Sequence, residues 1–431
     1  MDKAKNIVIL TAVHPYKAAG IVAFDIMQGL KENGANVVII TNVRLEKNYE
    51  NTISLKSKTT EFIYKVNRRI SKLLSKKIPV DRNYYMMGLN QNSNDFRAKR
   101  ILKKLPFKPD AFIYLFPQFF LSAKDLFYLN KNTKAPILWY LMDMAAFTGG
   151  CHFAHSCTGY IKTCGNCPGI YSNSKKDQTH LNWVQKKSFI EQTDIIPIAA
   201  SEWTYNQLKR SSLYKNKECK KILIPISSAI FKPGNKDLSR KSLGLPLSKK
   251  IILFGSVSVK ENRKGFKEIM QSLSILYGNL SSTVNENILI IIAGNSEFEY
   301  SDSIPFDCST LGYLNYTQLA LAYQAADIFL CPSIEDSGPT MINQSIMCCT
   351  PVVSFDMGVA SDLVFSGKTG YRAKLKDCSD FADGIKSILE LKENNYLAMR
   401  DNCKIQSQIS CNPISQTEKI IELLNRNSFK K

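Results

Sequence analysis

The stretch from Asp327 to Phe355, DIFLCPSIEDSGPTMINQSIMCCTPVVSF, constrains the fold more than any other part of the chain. Ile328, Phe329, Leu330 and Cys331 form an unbroken apolar run, the pattern of a strand covered on both faces. Pro332 cannot continue a central strand, and Ser333, Glu335, Asp336, Ser337 and Gly338 supply a turn. Pro339 suits the first turn of a helix, which continues with Met341, Ile342, Ser345, Ile346 and Cys349 at helical spacing and stops before Pro351. Val352 to Phe355 is a second apolar run. Strand, turn, helix and strand in this order predict a βαβ unit whose helix N-terminus faces the carboxyl edge of the sheet. That edge is where α/β proteins bind phosphorylated ligands. The same order also describes a purely structural βαβ unit.

The alternation recurs along the chain. Asn6 to Thr11 reads as the first strand, and a helix through Val22, Phe24, Met27 and Leu30 stops at Gly34 before a strand over Val37 to Thr41. AFIYLF after Asp110, ILWYLMD after Pro136 and IIPIAASEW from Ile195 add further strands, and Lys221 to Ile226 a short one. A polar linker from Phe231 to Lys250 separates these from a second series. That series contains IILFGSVS, Ile288 to Ala293, a helix through Leu319 to Ala326, Gly370-Tyr371 opening the last strand, and helices over Phe381 to Leu391 and Ser415 to Leu424. The reading is α/β with two Rossmann-like domains, 1–222 and 223–408, and a C-terminal helix over 409–431 returning to the first.

A length of 431 residues suits two such domains, and 44% hydrophobic content supports packed cores. No apolar run approaches the length of a membrane span, and MDKAKNIVIL lacks a secretory cleavage site, so a cytoplasmic location is expected. The net charge of +20 suits phosphorylated, nucleic-acid or anionic-lipid partners. No arrangement of basic and stacking residues typical of nucleic-acid readers is present, which makes nucleic acid the weakest of the three. Within Lys56 to Lys77, Phe62, Val66, Ile70 and Leu73 recur at helical spacing among Lys65, Arg68, Arg69, Lys72, Lys76 and Lys77. This is the pattern of a basic interfacial helix in peripheral contact with an anionic membrane, and equally of a solvated surface helix.

Twelve cysteines without a secretion signal argue for reduced thiols, and Cys331, Cys348 and Cys349 fall on faces that read as buried. In the loop 149–169, Cys151, Cys157, Cys164 and Cys167 lie within seventeen residues, with His152 and His155 between them. Cys164-Gly165-Asn166-Cys167 has the short spacing that lets two thiolates share one metal ion. Four thiolates, or three and a histidine, would close a structural zinc shell; reduced cysteines or a redox pair are the other reading.

Ser333-x-x-Asp336, the Gly338-Pro339 turn, Gln344 and Cys349-Thr350-Pro351-Val352-Val353 resemble the nucleotide-sugar signature of retaining glycosyltransferase family 4. The nearest pattern within it is that of the colanic-acid and exopolysaccharide glycosyltransferases, which share the Thr-Gly-Gly-Cys-His and Cys-Gly-Asn-Cys-Pro elements. The resemblance implies the GT-B fold, two Rossmann-like domains facing across a cleft. It implies a hexosyltransferase that uses a nucleotide diphosphate sugar, UDP- or GDP-linked, and no catalytic metal. The implied acceptor is a growing bacterial surface polysaccharide or lipid-linked oligosaccharide, reached from the cytoplasm at the inner face of the membrane.

Carried over position by position, the resemblance assigns Arg263 and Lys264 to the diphosphate, Asp336 with Ser337 and Gly338 to the sugar, and Gln344 to the ribose. Gly358 and Gly20 are expected to let backbone approach the donor, and Tyr313 to lie along the base. Two positions depart from the family pattern. Gln344 stands where a carboxylate is usual, and Met142-Asp143 stands where relatives have His-Asp, leaving Asp143 and His152 as candidates for the lost histidine's role. These departures keep a second reading open, a catalytically silent sugar-nucleotide-binding scaffold subunit of a glycan-assembly complex.

Overall fold

The structure is a computed structural model that describes residues 4–57, 78–86, 96–117, 120–256, 261–294 and 303–428. The basic helix read over 56–77 lies outside the described residues from position 58 onward. The chain divides into two compact units: residues 1–200, 204–222 and 416–431 form the first, and 201–203 with 223–415 the second.

The first unit is built on β1 (Asn6–Thr11), β2 (Asn36–Thr41), β3 (Thr52–Ser54), β4 (Ala111–Leu115), β5 (Ile137–Leu141), β6 (Ile195–Ala199) and β7 (Lys220–Lys221). They form one sheet in the order β3-β2-β1-β4-β5-β6-β7, with every pairing parallel. Strands β4, β5 and β6 are buried at every position, as their continuous apolar runs require when helices cover both faces. The strand read over Lys221 to Ile226 is shorter and lies earlier: β7 holds two residues, and Pro225 has no N–H to extend a ladder.

The second sheet holds β8 (Lys250–Ser256), β9 (Ile288–Gly294), β10 (Asp307–Gly312), β11 (Ile328–Cys331), β12 (Val352–Phe355) and β13 (Gly370–Ala373). Its order is β10-β9-β8-β11-β12-β13, again parallel throughout. On one face the helix Phe266–Asn279 contributes Ile269, Leu273 and Leu276, and the helix Cys378–Leu389 contributes Phe381, Ile385 and Ile388, to one buried cluster with Ile252, Ile290 and Val353. Each such side chain contributes about 1.5–3 kcal/mol by leaving water.

The segment expected as a polar linker carries a helix, Lys236–Ser242, with Asn235 accepting from Leu238 N–H at 2.9 Å. Its polar sequence misleads because Arg240 is 3% exposed and bonds to buried Asp327 at 2.8 Å, beside Lys236 at 2.6 Å. Asp327 also accepts from Ile251 N–H at 2.7 Å, which fixes the start of β11 against β8. Strand order reverses between β1 and β4 and between β8 and β11. At such a switch point the loops leaving two adjacent strands diverge and open a crevice.

Candidate functional site

At the second switch point the segment after β8 meets the turn after β11. Backbone N–H groups of Ile334 and Glu335 donate to Arg263 O at 2.9 and 3.3 Å, lacing the two loops together. The approach depends on Gly265, whose φ is +72° and where a Cβ would lie 1.8 Å from Pro332 O. Gly358, with φ +60°, underlies the same turn; a Cβ there would lie 2.8 Å from Asp336 O. Both positions are steric necessities of a tight approach.

Lacing brings Arg263 and Lys264 onto one carboxylate. Asp336 Oδ2 accepts from Arg263 Nη1 at 2.9 Å and Lys264 Nζ at 2.6 Å, and Oδ1 accepts from Gly338 N–H at 3.1 Å. Arg263 Nη2 lies 2.6 Å from Glu261, so two cations face two carboxylates. Asp336 is 7% exposed. Burial alone would raise its pKa, but the Lys264 ammonium, the Arg263 guanidinium and the Gly338 N–H outweigh it and hold the carboxyl below its ordinary value. An assembly of this kind accepts an anion where a carboxylate now sits, and a phosphate matches both donors.

The other donor-side candidates are placed as follows. Ser337 and Gly338 continue the Asp336 turn into the helix Thr340–Met347. Gln344 lies on that helix at 5% exposure, and Tyr323 OH donates to its Oε1 at 3.3 Å. Tyr313 follows β10, two strands from β8, and is 68% exposed. Cys331, Cys348 and Cys349 are buried; burial pushes the Cys331 thiol to about 11 and the Cys348 thiol to about 12, so both are packing residues rather than nucleophiles. Sequence reasoning missed Tyr323 and Glu261. Helical spacing does mark Tyr323 as a core residue but says nothing of what its hydroxyl meets.

In the first unit, β5 leads directly to Met142 and Asp143, and the chain then turns back on itself. His152 Nδ1 lies 2.8 Å from Asp143 Oδ2, and Asp143 Oδ1 accepts from Ala145 N–H at 2.7 Å. The two candidates separated by nine positions are therefore one pair. A carboxylate only accepts, so Nδ1 is the donor of this bond and Nε2 is the ring nitrogen left to face elsewhere. Gly20 lies buried at the foot of the helix Ile21–Glu32, under the His14 carbonyl.

The Cys-rich loop is held by the helix Gln178–Gln192. Asp177 caps it, accepting from Thr179 and His180 N–H at 2.8 and 3.1 Å, and also accepts from Cys167 N–H at 3.0 Å. Lys186 of this helix is 2% exposed and donates to Ala145 O and Thr148 O at 2.6 and 2.8 Å. Burial lowers its pKa to about 8, against the pull of Cys164, Cys151 and Asp143. No apolar period announces this lysine, since the helix is polar along most of its length. All twelve cysteines are free thiols. Among the described residues, no three His, Cys, Asp or Glu side chains are already placed as a metal shell. The zinc expected from the cysteine spacing therefore has no ready-made shell. No helix among the described residues is long and apolar enough to cross a membrane.

Comparison with known proteins agrees with this geometry. Residues 235–407, which contain the whole Arg263–Lys264–Asp336 cluster, match the family profile described as Glycosyl transferases group 1. A curated relative, D-inositol 3-phosphate glycosyltransferase of Mycolicibacterium smegmatis, is 28% identical over 170 residues, 37% of this chain and 37% of that protein. The chain thus matches little more than a third of that relative's length. Sucrose-phosphate synthase from Thermosynechococcus elongatus superimposes with a TM-score of 0.65 at 15% identity, covering 99% of this chain and 100% of the other. HepE of Anabaena, solved in complex with UDP and glucose, gives 0.61 at 14% identity, covering 98% and 100%. At these identities the likeness is one of fold. The chain accordingly has the GT-B fold, and its second unit carries a domain that matches Glycosyl transferases group 1 over residues 235–407.

Proposed function

We propose that the chain is a retaining glycosyltransferase that moves a hexose from a nucleotide diphosphate sugar, UDP- or GDP-linked, to a growing surface polysaccharide or lipid-linked oligosaccharide. The observation that carries this reading is the Arg263–Lys264–Asp336 cluster at the switch point of the second sheet. In this reading Arg263 and Lys264 neutralise the charge that develops on the leaving diphosphate, an electrostatic role that suits fixed cations in a part-buried site. Asp336 and the Gly338 backbone orient the sugar, Gln344 meets the ribose, and Tyr313 offers an aromatic face to the base. Asp143 holds the His152 ring so that its Nε2 can accept from a sugar hydroxyl. The leaving phosphate takes the acceptor's proton on the same face, so retention needs neither a catalytic metal nor a second carboxylate on the glycosidase plan.

A second reading, a silent sugar-nucleotide-binding subunit, draws on the Tyr323–Gln344 bond, which occupies one lone pair of the only polar atom Gln344 could offer a ribose hydroxyl as an acceptor. The deciding experiment is a thermal-shift screen of the full chain against UDP, GDP and their sugar conjugates, followed by assay of the released nucleotide. Stabilisation by one nucleotide together with slow hydrolysis of its sugar conjugate supports the transferase. Stabilisation without any turnover supports the silent subunit, and absence of any shift overturns both.

A further inference from the structure

The four cysteines of the loop 149–169 converge on a feature that sugar transfer does not use. Cys151, Cys157, Cys164 and Cys167 all line one cavity of about 20 Å³, otherwise walled mainly by glycines, Met86, Ala154, Tyr160 and Thr179. That volume holds a single water or ion, and a water there would find few strong hydrogen-bond partners among sulfurs. Three of the sulfurs accept backbone N–H bonds: Cys164 from Gly149 at 3.2 Å, Cys157 from Gly159 at 3.4 Å, and Cys167 from Gly169.

The knuckle Cys164-Gly165-Asn166 is wound through three successive left-handed residues, φ 51°, 98° and 46°, a costly conformation that surrounding bonds maintain. Asn166 N–H donates to Ser174 O at 2.7 Å and Gly165 N–H to Thr179 Oγ1 at 3.2 Å. The three nearby histidines are otherwise engaged, His152 with Asp143, His155 Nε2 with Asn83 O at 3.0 Å and His180 Nδ1 with Thr163 O at 3.0 Å. That leaves sulfur as the donor set. Lys186 supplies the last observation: it is 2% exposed and donates to Ala145 O and Thr148 O at 2.6 and 2.8 Å, one residue before the Gly149 N–H that bonds Cys164 Sγ.

We propose that Cys151, Cys157, Cys164 and Cys167 bind one zinc ion as a closed tetrathiolate, with Lys186 offsetting part of its negative charge. A four-sulfur tetrahedral shell selects zinc over harder divalent ions and leaves no open position for chemistry. The sulfurs are not yet at shell positions, so the ion draws them inward to about 2.3 Å and releases the thiol protons. The site stands independently of the glycosyl-transfer reading and is structural.

The test uses the full chain, produced in zinc-supplemented medium and purified without a metal-affinity column. Elemental analysis is expected to give about one zinc per chain, released by a mercurial thiol reagent. Protein grown in cobalt is expected to show sulfur-to-cobalt charge transfer and the intense d–d bands of a tetrahedral site. Cys164→Ser and Cys167→Ser are expected to lose the metal, whereas His155→Ala retains it. Because the cobalt spectrum is read on the unsubstituted chain, misfolding of a variant cannot imitate support. Zinc-free protein with no cobalt signature overturns the proposal, and so does metal retained in Cys164→Ser or lost in His155→Ala.

Discussion

The Lys264 ammonium lies 2.6 Å from Oδ2 of Asp336, the same oxygen that receives Arg263 Nη1 at 2.9 Å. One carboxylate thus balances two cations in a part-buried site that also includes Glu261. Its folded pKa is below the ordinary carboxylate value, so the native state holds fewer protons on this group than the unfolded chain does. The contribution to stability is complete above the unfolded value of about 4 and is lost as pH falls through the folded one. Asp336→Asn is expected to destabilise the protein at pH 7 by about 1–3 kcal/mol. The gap from the natural chain should narrow below about pH 4. Urea unfolding of both proteins across this range checks it; a constant gap contradicts the pairing.

Lys264→Ala removes a charge-assisted hydrogen bond of about 1.5–3 kcal/mol, which corresponds to roughly 10- to 100-fold weaker nucleoside diphosphate binding. Asp336→Asn acts in the opposite sense on the bare diphosphate, because it removes a competitor for the same cations. Calorimetric titration with UDP and GDP separates the two. Equal losses in both variants would mean that Asp336 touches the diphosphate only through the fold.

Gln344→Glu places a carboxylate at a position 5% exposed, opposite the Tyr323 hydroxyl. The free protein should lose about 1–3 kcal/mol, since one hydroxyl only partly offsets a buried charge. If Gln344 meets the ribose, the added charge strengthens that bond and the nucleotide-induced thermal shift grows. A lower melting temperature with an unchanged nucleotide shift would assign Gln344 to the core alone.

Asp143→Asn lets the His152 ring turn and change tautomer, because an amide no longer demands an Nδ1 proton. If the pair acts as a unit, Asp143→Asn and His152→Ala lower kcat by similar factors of about 10–100, and the double variant falls little further. Full additivity in the assay would show that the two residues act separately.

Gly265→Ala is expected to cost more than about 1–3 kcal/mol, combining a left-handed φ with a Cβ 1.8 Å from Pro332 O. Thermal unfolding with and without nucleotide reads both the stability loss and the displacement of Arg263 and Lys264. Unchanged melting and binding would show that the loop relaxes freely.

Much of the architecture follows from the sequence, because continuous apolar runs such as Ile137–Leu141 and Ile328–Cys331 suit only strands covered on both faces. Such runs, broken by Gly and Pro, fix the class of fold and the approximate place of each strand. They also mark the turn that carries Asp336. Period and composition act through residues within a few positions of one another. What they do not determine is which distant groups meet. The Lys236–Ser242 helix reads as linker because its anchor, Arg240 on Asp327, spans 87 positions. Nothing in the sequence around Lys186 marks it as buried, yet the fold leaves it 2% exposed, donating to Ala145 O and Thr148 O. The neutralisation of Arg263 and Lys264 by Asp336, the closure of Asp143 on His152 and the capture of Gln344 by Tyr323 are likewise contacts between separate segments. Tertiary structure decided them, because ion pairs and buried hydrogen bonds depend on distance and desolvation in space, and neither is encoded in local spacing.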